Sequence, residues 1–374
     1  MTNTENKSST KERKMLVTMA AIDSYLETNI VSPVETKTPG GRVKWGTENN
    51  YPAYLLDLFN NVPTLRSIIT GSADFVAGDD VTVAPGVNLG STPYDLVRQL
   101  ALDEFIYGGH ALQVIRNQDG EVAELDYINI NYLRCDEDNE MFYYSEKWAK
   151  GARDCVVYPK YIPIDAAKWA GMTDEEKNRQ ASSIVYVKNT NTQTYPAPLY
   201  CAAVKACELE RCIGEYHLNA INNGFMPSGI INFNNGVPTQ EQQEEIEELV
   251  NEKFSGYQNA MRILLSFNSS KENATTFEYP KVEDFGARYD ALTKYARQMI
   301  FTAFAAGPIL FGIVAESSLI GAEQNYDDAF RLYNRTRVRP VQRRIVESVE
   351  KVYGAGAITI KPYSLEGDIE TNVQ

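Results

Sequence analysis

Residues 284–352 read DFGARYDALTKYARQMIFTAFAAGPILFGIVAESSLIGAEQNYDDAFRLYNRTRVRPVQRRIVESVEKV, and this stretch decides the fold. Its first third, residues 284–305, spaces apolar side chains at helical intervals and predicts a long helix. Gly307-Pro308 interrupts it and opens a connection expected to run to about Gln324. A structureless link of that length is long for a compact domain, and such loops commonly carry function. Its start, Ile309–Val314, is apolar enough to be a buried irregular connection as well. Residues 326–352 resume as a second long helix. A bend is expected at Pro340, whose ring removes an amide donor and crowds the preceding turn.

That second helix carries the most pointed charge pattern in the chain. Arg331, Arg335, Arg339 and Arg343 recur every four residues, with Arg337 and Arg344 beside them. Four-residue spacing puts them on one helix face. Such a stripe can meet DNA phosphates, acidic groups of a neighbouring subunit, or local acids such as Asp327, Asp328 and Glu347. Pairing within or between subunits is favoured over DNA, because the chain as a whole is acidic.

Upstream, Pro198 precedes a long helix over residues 199–221, closed by Asn222-Asn223-Gly224 with glycine in the capping position. SGIINF (228–233) is then a strand. Residues 239–254 form an acidic helix capped by Thr239, with Glu241, Glu244, Glu245 and Glu248 near its electropositive start. These carboxylates could face a partner. A solvated amphipathic helix with Ile246, Leu249, Val250 and Phe254 inward also accounts for them. RILLSF (262–267) and TTFEYP (275–280) are two further strands.

The first half is mixed. Helices are expected from Tyr51, over 64–76 and over 92–107, the last with Thr92 as N-cap and Pro93 in its first turn. Gly108-Gly109 follow. ALQVIRN and VAELDYI form a hairpin turning on Asn117–Gly120. MFYYS and SIVYV are short strands. Residues 1–14 are polar and without periodicity, so they are expected to be disordered. Residues 15–50 are loop-rich, and a polar tail follows residue 353. The fold class is α+β, with no internal repeat.

Among 374 residues the formal net charge is −14. That argues against a surface gripping nucleic acid everywhere, since such affinity needs Lys and Arg to neutralise phosphates. No run is long and apolar enough to span a membrane, and MTNTENKSSTKERK lacks the apolar core of a secretion signal. The protein is expected to stay in the cytoplasm where it is made. Five cysteines form no CxxC pair and only two histidines exist, so no structural zinc is expected. GxSxG, HExxH, GxxxxGK[ST] and GxGxxG are all missing. His110 and His217 read as structural. Asp79-Asp80, Asp136–Asp138 and Asp327-Asp328 lack the spacing of a calcium loop. No catalytic residue, cofactor or metal is expected.

In order, five stretches resemble the portal (head-to-tail connector) proteins of tailed bacteriophages, of the siphophage type. They are WGTENNYPAYLLDLFNNVPTLRSIITGSADFVAGDDV (45–81), DEFIYGGHALQVIRNQDGEVAELDYI (103–128), PLYCAAVKACELERCIGEYHLNAINNGFMPSGIINF (198–233), ARQMIFTAFAAGPILFGI (296–313) and NYDDAFRLYNRTRVRPVQRRIVESVEKV (325–352). One departure is Ala306-Gly307-Pro308, where the family more often has a Val-Pro-Pro run.

The resemblance implies a map. Residues 1–14 are a tail, 15–198 most of an α+β wing, 199–224 a stem helix, 225–283 a small α/β clip and 284–306 a second stem helix. Residues 307–325 hold the tunnel loop, with Val314, Glu316, Ser317, Ser318, Leu319, Ile320, Glu323 and Gln324 as candidates to face DNA. Residues 326–353 are a long bent wing helix, and 354–374 a short tail with the crown reduced or absent. Lys294 and Arg297 are the stem residues expected to face the channel.

It also implies a twelve-fold homo-oligomeric ring at a capsid vertex of the virion, passing double-stranded DNA without sequence specificity. The partners would be the terminase large subunit, a head–tail adaptor, and the major capsid and scaffold proteins. Acidity fits a conduit, because a negative wall does not hold the DNA that slides past it. The rival readings are another head–tail connector or minor capsid protein, and a cytoplasmic enzyme.

Overall fold

The computed structural model describes residues 30–38, 40–148, 155–190, 193–222, 229–233, 239–242, 263–267, 285–312 and 322–364. The chain falls into two compact units, Met1–Glu208 with Arg297–Gln374, and Leu209–Ala296.

The first unit opens with a short antiparallel pair, β1 (Glu35–Lys37) and β2 (Val43–Trp45). Three residues per strand cannot sustain a ladder alone, and distant groups hold this one. Trp45 stacks on Tyr195 with ring centroids 4.4 Å apart, Arg134 lies over the Trp45 ring, and the Tyr195 hydroxyl donates to the Val43 carbonyl. Helices α1 (Tyr51–Asn61) and α2 (Pro63–Ala77) meet at Val62, which is extended, and Pro63 starts the second. Proline there loses no hydrogen bond, because first-turn amides have no intrahelical partner. Their apolar faces, including Leu55, Leu58, Leu65, Ile68 and Ile69, are fully buried.

After β3 (Asp80–Val83) comes α3 (Pro93–Ile106), where the Thr92 hydroxyl accepts from the Asp95 amide as the sequence predicts. The hairpin also forms. β4 (Gly109–Arg116) and β5 (Val122–Tyr127) pair antiparallel, with a register shift at Ile115/Arg116 and Gly120 at positive φ. A second antiparallel sheet contains β6 (Leu133–Cys135), β7 (Met141–Tyr144) and β8 (Val156–Pro159), in that order. Two short helices follow, α4 (Ala166–Ala170) and α5 (Asp174–Gln180), the latter with a Thr173/Glu176 capping box. β9 (Ser182–Lys188) then returns along β4, so β4 is central in the order β5-β4-β9. A central strand has both edges paired, and β4 accordingly buries Ala111, Leu112 and Val114 while α3 packs against it.

A 3-10 turn, Cys201–Ala203, leads into α6 (Val204–Asn222). Near its start the Tyr54 hydroxyl donates to the buried Glu208 carboxylate at 2.8 Å. In the second unit β10 (Gly229–Phe233) and β11 (Ile263–Phe267) pair in parallel, with Ile231 opposite Leu265. Of the acidic helix expected over 239–254, only its start at Gln240–Gln242 lies within the described residues, and the TTFEYP strand lies outside them. α7 (Phe285–Phe304) is the second long helix.

The C-terminal part departs from the sequence reading in three places. The connection after α7 is shorter than expected, since α8 (Ala322–Tyr333) already includes Glu323 and Gln324. Ala, Glu and Gln all favour helix, and a glutamate suits its electropositive start. At the other end of that connection, Pro308–Phe311 is a 3-10 turn rather than open loop. Leu310 is buried, and Phe311 lies close over Gly71, where any larger residue would crowd it.

Second, the distortion expected at Pro340 lies just before it, as a π-helical turn at Asn334–Val338. The proline ring would clash with the carbonyl four residues back, and a widened turn relieves that clash. The helix continues as α9 (Arg339–Tyr353). Third, the polar tail is not all tail. β12 (Ile358–Lys361) pairs antiparallel with β3, and Ala357 and Ile358 are buried.

Gly108 tests how tightly α3 is joined to β4. Its φ is +90°, and an added Cβ would overlap the Ala197 carbonyl and meet Asn189 Nδ2 at 2.8 Å. Gly108→Ala should therefore lower stability by about 2–3 kcal/mol, read as a fall in the midpoint of chemical unfolding. An unchanged midpoint would mean that the 197 backbone moves aside freely.

Candidate functional site

α8, the π turn and α9 form one helical run that presents two contrasting faces. Tyr333, Val338, Val341, Ile345 and Val349 are buried on the inner face. The Tyr333 hydroxyl shares a 2.6 Å hydrogen bond with Ser72 on α2, and Arg337 Nε donates to the Phe304 carbonyl at the end of α7. These contacts fix the run's rotation about its own axis.

A buried polar network fixes it further. Glu104 on α3 and His110 on β4 are fully buried, with His110 Nδ1 2.7 Å from Glu104 Oε1. His110 Nε2 lies 3.0 Å from the Ser348 hydroxyl, which itself donates to the Ile345 carbonyl. Arg344 donates through Nε and Nη2 to Glu104, the Nε contacts being 3.1 and 3.2 Å. Burial alone would raise the Glu104 pKa. The hydrogen bond and charge of His110, with those of Arg344, outweigh burial and lower it. A buried carboxylate is tolerable when every lone pair is met this way.

Ser348, His110 and Glu104 thus stand in nucleophile–base–acid order. Catalysis needs a substrate carbon beside the hydroxyl, and here Ser348 is 3% exposed, Glu104 2% and His110 0%. The constellation cross-links α9 to α3 and β4. The sequence reading of His110 as structural fits this geometry, but neither Ser348 nor Glu104 stood out there. Arg344 was seen only as an addition to the arginine stripe.

On the outer face Arg331, Arg335, Arg339 and Arg343 are all exposed. A four-residue step in a regular helix overshoots a full turn by about 40°, so a long row drifts around the axis. The π turn falls short of a revolution over four residues and takes part of that drift back. Local pairing with Asp327, Asp328 or Glu347 does not occur. Among the described residues no ion pair within 4.0 Å involves any of the four arginines.

Other candidates fall as follows. Lys294 and Arg297 are exposed on α7, and Glu241 is exposed at the helical start after Thr239. Glu323 and Gln324 lie in α8. Val314, Glu316, Ser317, Ser318, Leu319 and Ile320, and likewise Glu244, Glu245 and Glu248, lie outside the described residues. His217 meets Tyr289 edge-on at 5.3 Å. Among the described residues no group of three His, Cys, Asp or Glu side chains could hold a metal, and no helix is long and apolar enough to cross a membrane. Two of the three acidic groups have local contacts. Asp136 accepts the Glu140 and Met141 amides, and Asp79 pairs with Lys361. A cleft of about 400 Å³ is lined by Arg116, Glu121, Asp165 and Lys351, charges of both signs.

A family model described as phage portal protein matches residues 83–370. Among solved structures, a chain in the virion of a native gene transfer agent particle is similar at TM-score 0.54 and 18% identity, covering 90% of this chain and 88% of that one. A chain in the neck of the native particle, computed with C12 symmetry, is similar at 0.51 and 17%, covering 90% and 87%. An HK97-family phage portal protein from Corynebacterium diphtheriae is similar at 0.47 and 12%, covering 83% and 94%. The two likenesses to gene transfer agent particles concern the fold alone. No curated protein sequence matches the chain.

Beside Glu104, Asp103 behaves oppositely. Burial raises its pKa to about 8, helped by the Glu104 charge and opposed by hydrogen bonds from Tyr127 and the Ile130 backbone. A carboxyl raised by folding contributes stability that is complete below its unfolded value, about 3.9, and is lost as pH climbs through the folded one. Asp103→Asn removes that loss. The variant should gain on the parent steadily between pH 4 and pH 8 in denaturant midpoint, and then level off. Parallel profiles over that window would show that Asp103 is ionised in the folded protein.

Proposed function

The chain belongs to the phage portal protein family, and on that premise we propose that it forms the ring at one capsid vertex through which the genome enters and leaves. The observation that carries this reading is the family match over residues 83–370, which spans both long helices and the run that follows them. The symmetric neck of the gene transfer agent particle, whose chain shares this fold, favours a twelve-fold ring. A virion location at the head–tail junction goes with it.

In this reading the two compact units have different tasks. Their boundaries fall inside α6 and α7, as suits two stem helices that carry a clip between them. The first unit is then the wing. The clip would take the terminase large subunit during packaging and a head–tail adaptor afterwards, with Glu241, Glu244, Glu245 and Glu248 as its outward carboxylates. Lys294 and Arg297 would face the channel from the stem. The segment between Gly312 and Ala322 would be the tunnel loop, with Glu323 and Gln324 at the helical base from which it springs. Major capsid and scaffold proteins would surround the wing.

The charge supports a conduit. A chain with formal net charge −14 repels duplex DNA over most of its surface, so the genome slides instead of binding, as strong phosphate contacts would otherwise demand. The role is structural and not enzymatic. What resembles a catalytic triad is sealed in the wing, and the family is one of particle components. Another kind of head–tail connector would share the particle location, but the extent of the family match favours the portal.

Deleting residues 314–320 separates assembly from transport. The variant should assemble into rings as the parent does, while genomes packaged per particle, read by quantitative PCR after nuclease treatment, fall at least tenfold. Normal genome content in deletion particles would remove the tunnel-loop assignment.

A further inference from the structure

Four arginines stand exposed along one side of the α8–π–α9 run, and among the described residues none of them has an ion-pair partner within 4.0 Å. Between Arg331 and Arg343 the row extends about 18 Å at the rise of a helix. Its backbone is held from behind by Tyr333–Ser72, Arg337–Phe304 and Arg344–Glu104. Such a row is presented rigidly, so a partner that meets it loses little further backbone entropy. Arginine also suits a carboxylate partner, because its planar fork can bond both oxygens at once.

Leu332 helps to decide between two possible partners. It is 65% exposed, next to Arg331 and one turn before Arg335 and Thr336. A phosphate backbone has no use for an exposed leucine, whereas protein interfaces combine apolar anchors with arginine. The excess of acid supplies the complementary charge. With 50 Asp and Glu against 36 Lys and Arg, a second copy of this chain carries more carboxylates than cations. Like-charged copies repel at long range, and opposite charges that meet locally offset that repulsion and fix the register of a contact.

From these observations we propose that the row Arg331, Arg335, Arg339 and Arg343, with Leu332 beside it, docks on an acidic surface of the adjacent copy in the ring. The inference rests on the ring reading above and names the wing-helix surface that closes it. A heterologous contact of this kind, repeated around an axis, closes a cyclic assembly.

Charge reversal at the centre of the row tests it. Purified full-length protein and the variant Arg335→Glu/Arg339→Glu are compared by mass photometry at equal concentration, with circular dichroism to compare their folding. The variant should keep the parent's helical signal and lose at least tenfold of its ring population. Arg335→Lys/Arg339→Lys, which keeps the charge, should keep most of it. A Leu332→Ser variant gives a second reading and should lose ring population by a smaller factor. Equal ring populations in parent and charge-reversed protein overturn the proposal, and so do normal variant rings that package or retain less DNA, an outcome that would assign the row to phosphate. A parent that forms no ring at all counts against the ring reading itself, and so is distinguishable from failure of this interface.

Discussion

The buried carboxylate of Glu104 is the constraint on which the rest of the first unit depends. It lies out of water and is offset only by His110 and Arg344, with Ser348 behind the imidazole. Those partners come from three elements, α3, β4 and α9. A helix carrying Arg344 and Ser348 can satisfy the site in one rotational setting only. That setting turns Val341, Ile345 and Val349 inward and Arg339 and Arg343 outward. Breaking a buried pair by removing one partner generally costs about 3–5 kcal/mol, so the network specifies how α9 is seated as well as contributing stability.

From that seating the preceding structure follows. The second residue of α9 is Pro340, whose ring crowds the turn before it. The π turn at Asn334–Val338 absorbs the conflict and lets α8 reach back toward α2. Phe75 gathers Phe311, Phe330 and Tyr333 around it, which seats the 3-10 turn after α7 in the same apolar cluster. The 3-10 turn that ends at Gly312 is thus anchored through Leu310 and Phe311, and α8 through Phe330 and Tyr333. For a portal this matters physically. The proposed tunnel loop would need a rigid body behind it, and the aromatic cluster around Phe75 is one that the flanking 3-10 turn and α8 share.

Much of this was legible in the sequence, where the signals are local. Thr92-Pro93 capped a helix as expected, Asn117–Gly120 turned a hairpin, and both long helices follow from their periodicity. The arginine row was readable from spacing alone. What was not legible depends on partners far along the chain. Ser348 and His110 are 238 residues apart, and a lone histidine after two glycines does not announce a carboxylate on one ring nitrogen and a hydroxyl on the other. The β1–β2 pair exists because Tyr195 and Arg134 cover Trp45. The four residues of β12, ITIK, are too few to show a strand period, and it is the β3 edge that orders them. Pro340 pointed to a distortion but not to its form, since a kink and a π turn relieve the same clash.

Acidity changes meaning along the way. By itself a formal charge of −14 argues against a DNA-binding surface, and in a family of portals it describes a wall that DNA passes. The measurement that bears most directly on this account is the mass and shape of the purified full-length protein, by mass photometry with negative-stain microscopy. Twelve copies of the 42.0 kDa chain should give particles of about 500 kDa with a central hole, as cyclic closure requires. A single 42.0 kDa species at micromolar concentration, or larger particles without a hole, would contradict it.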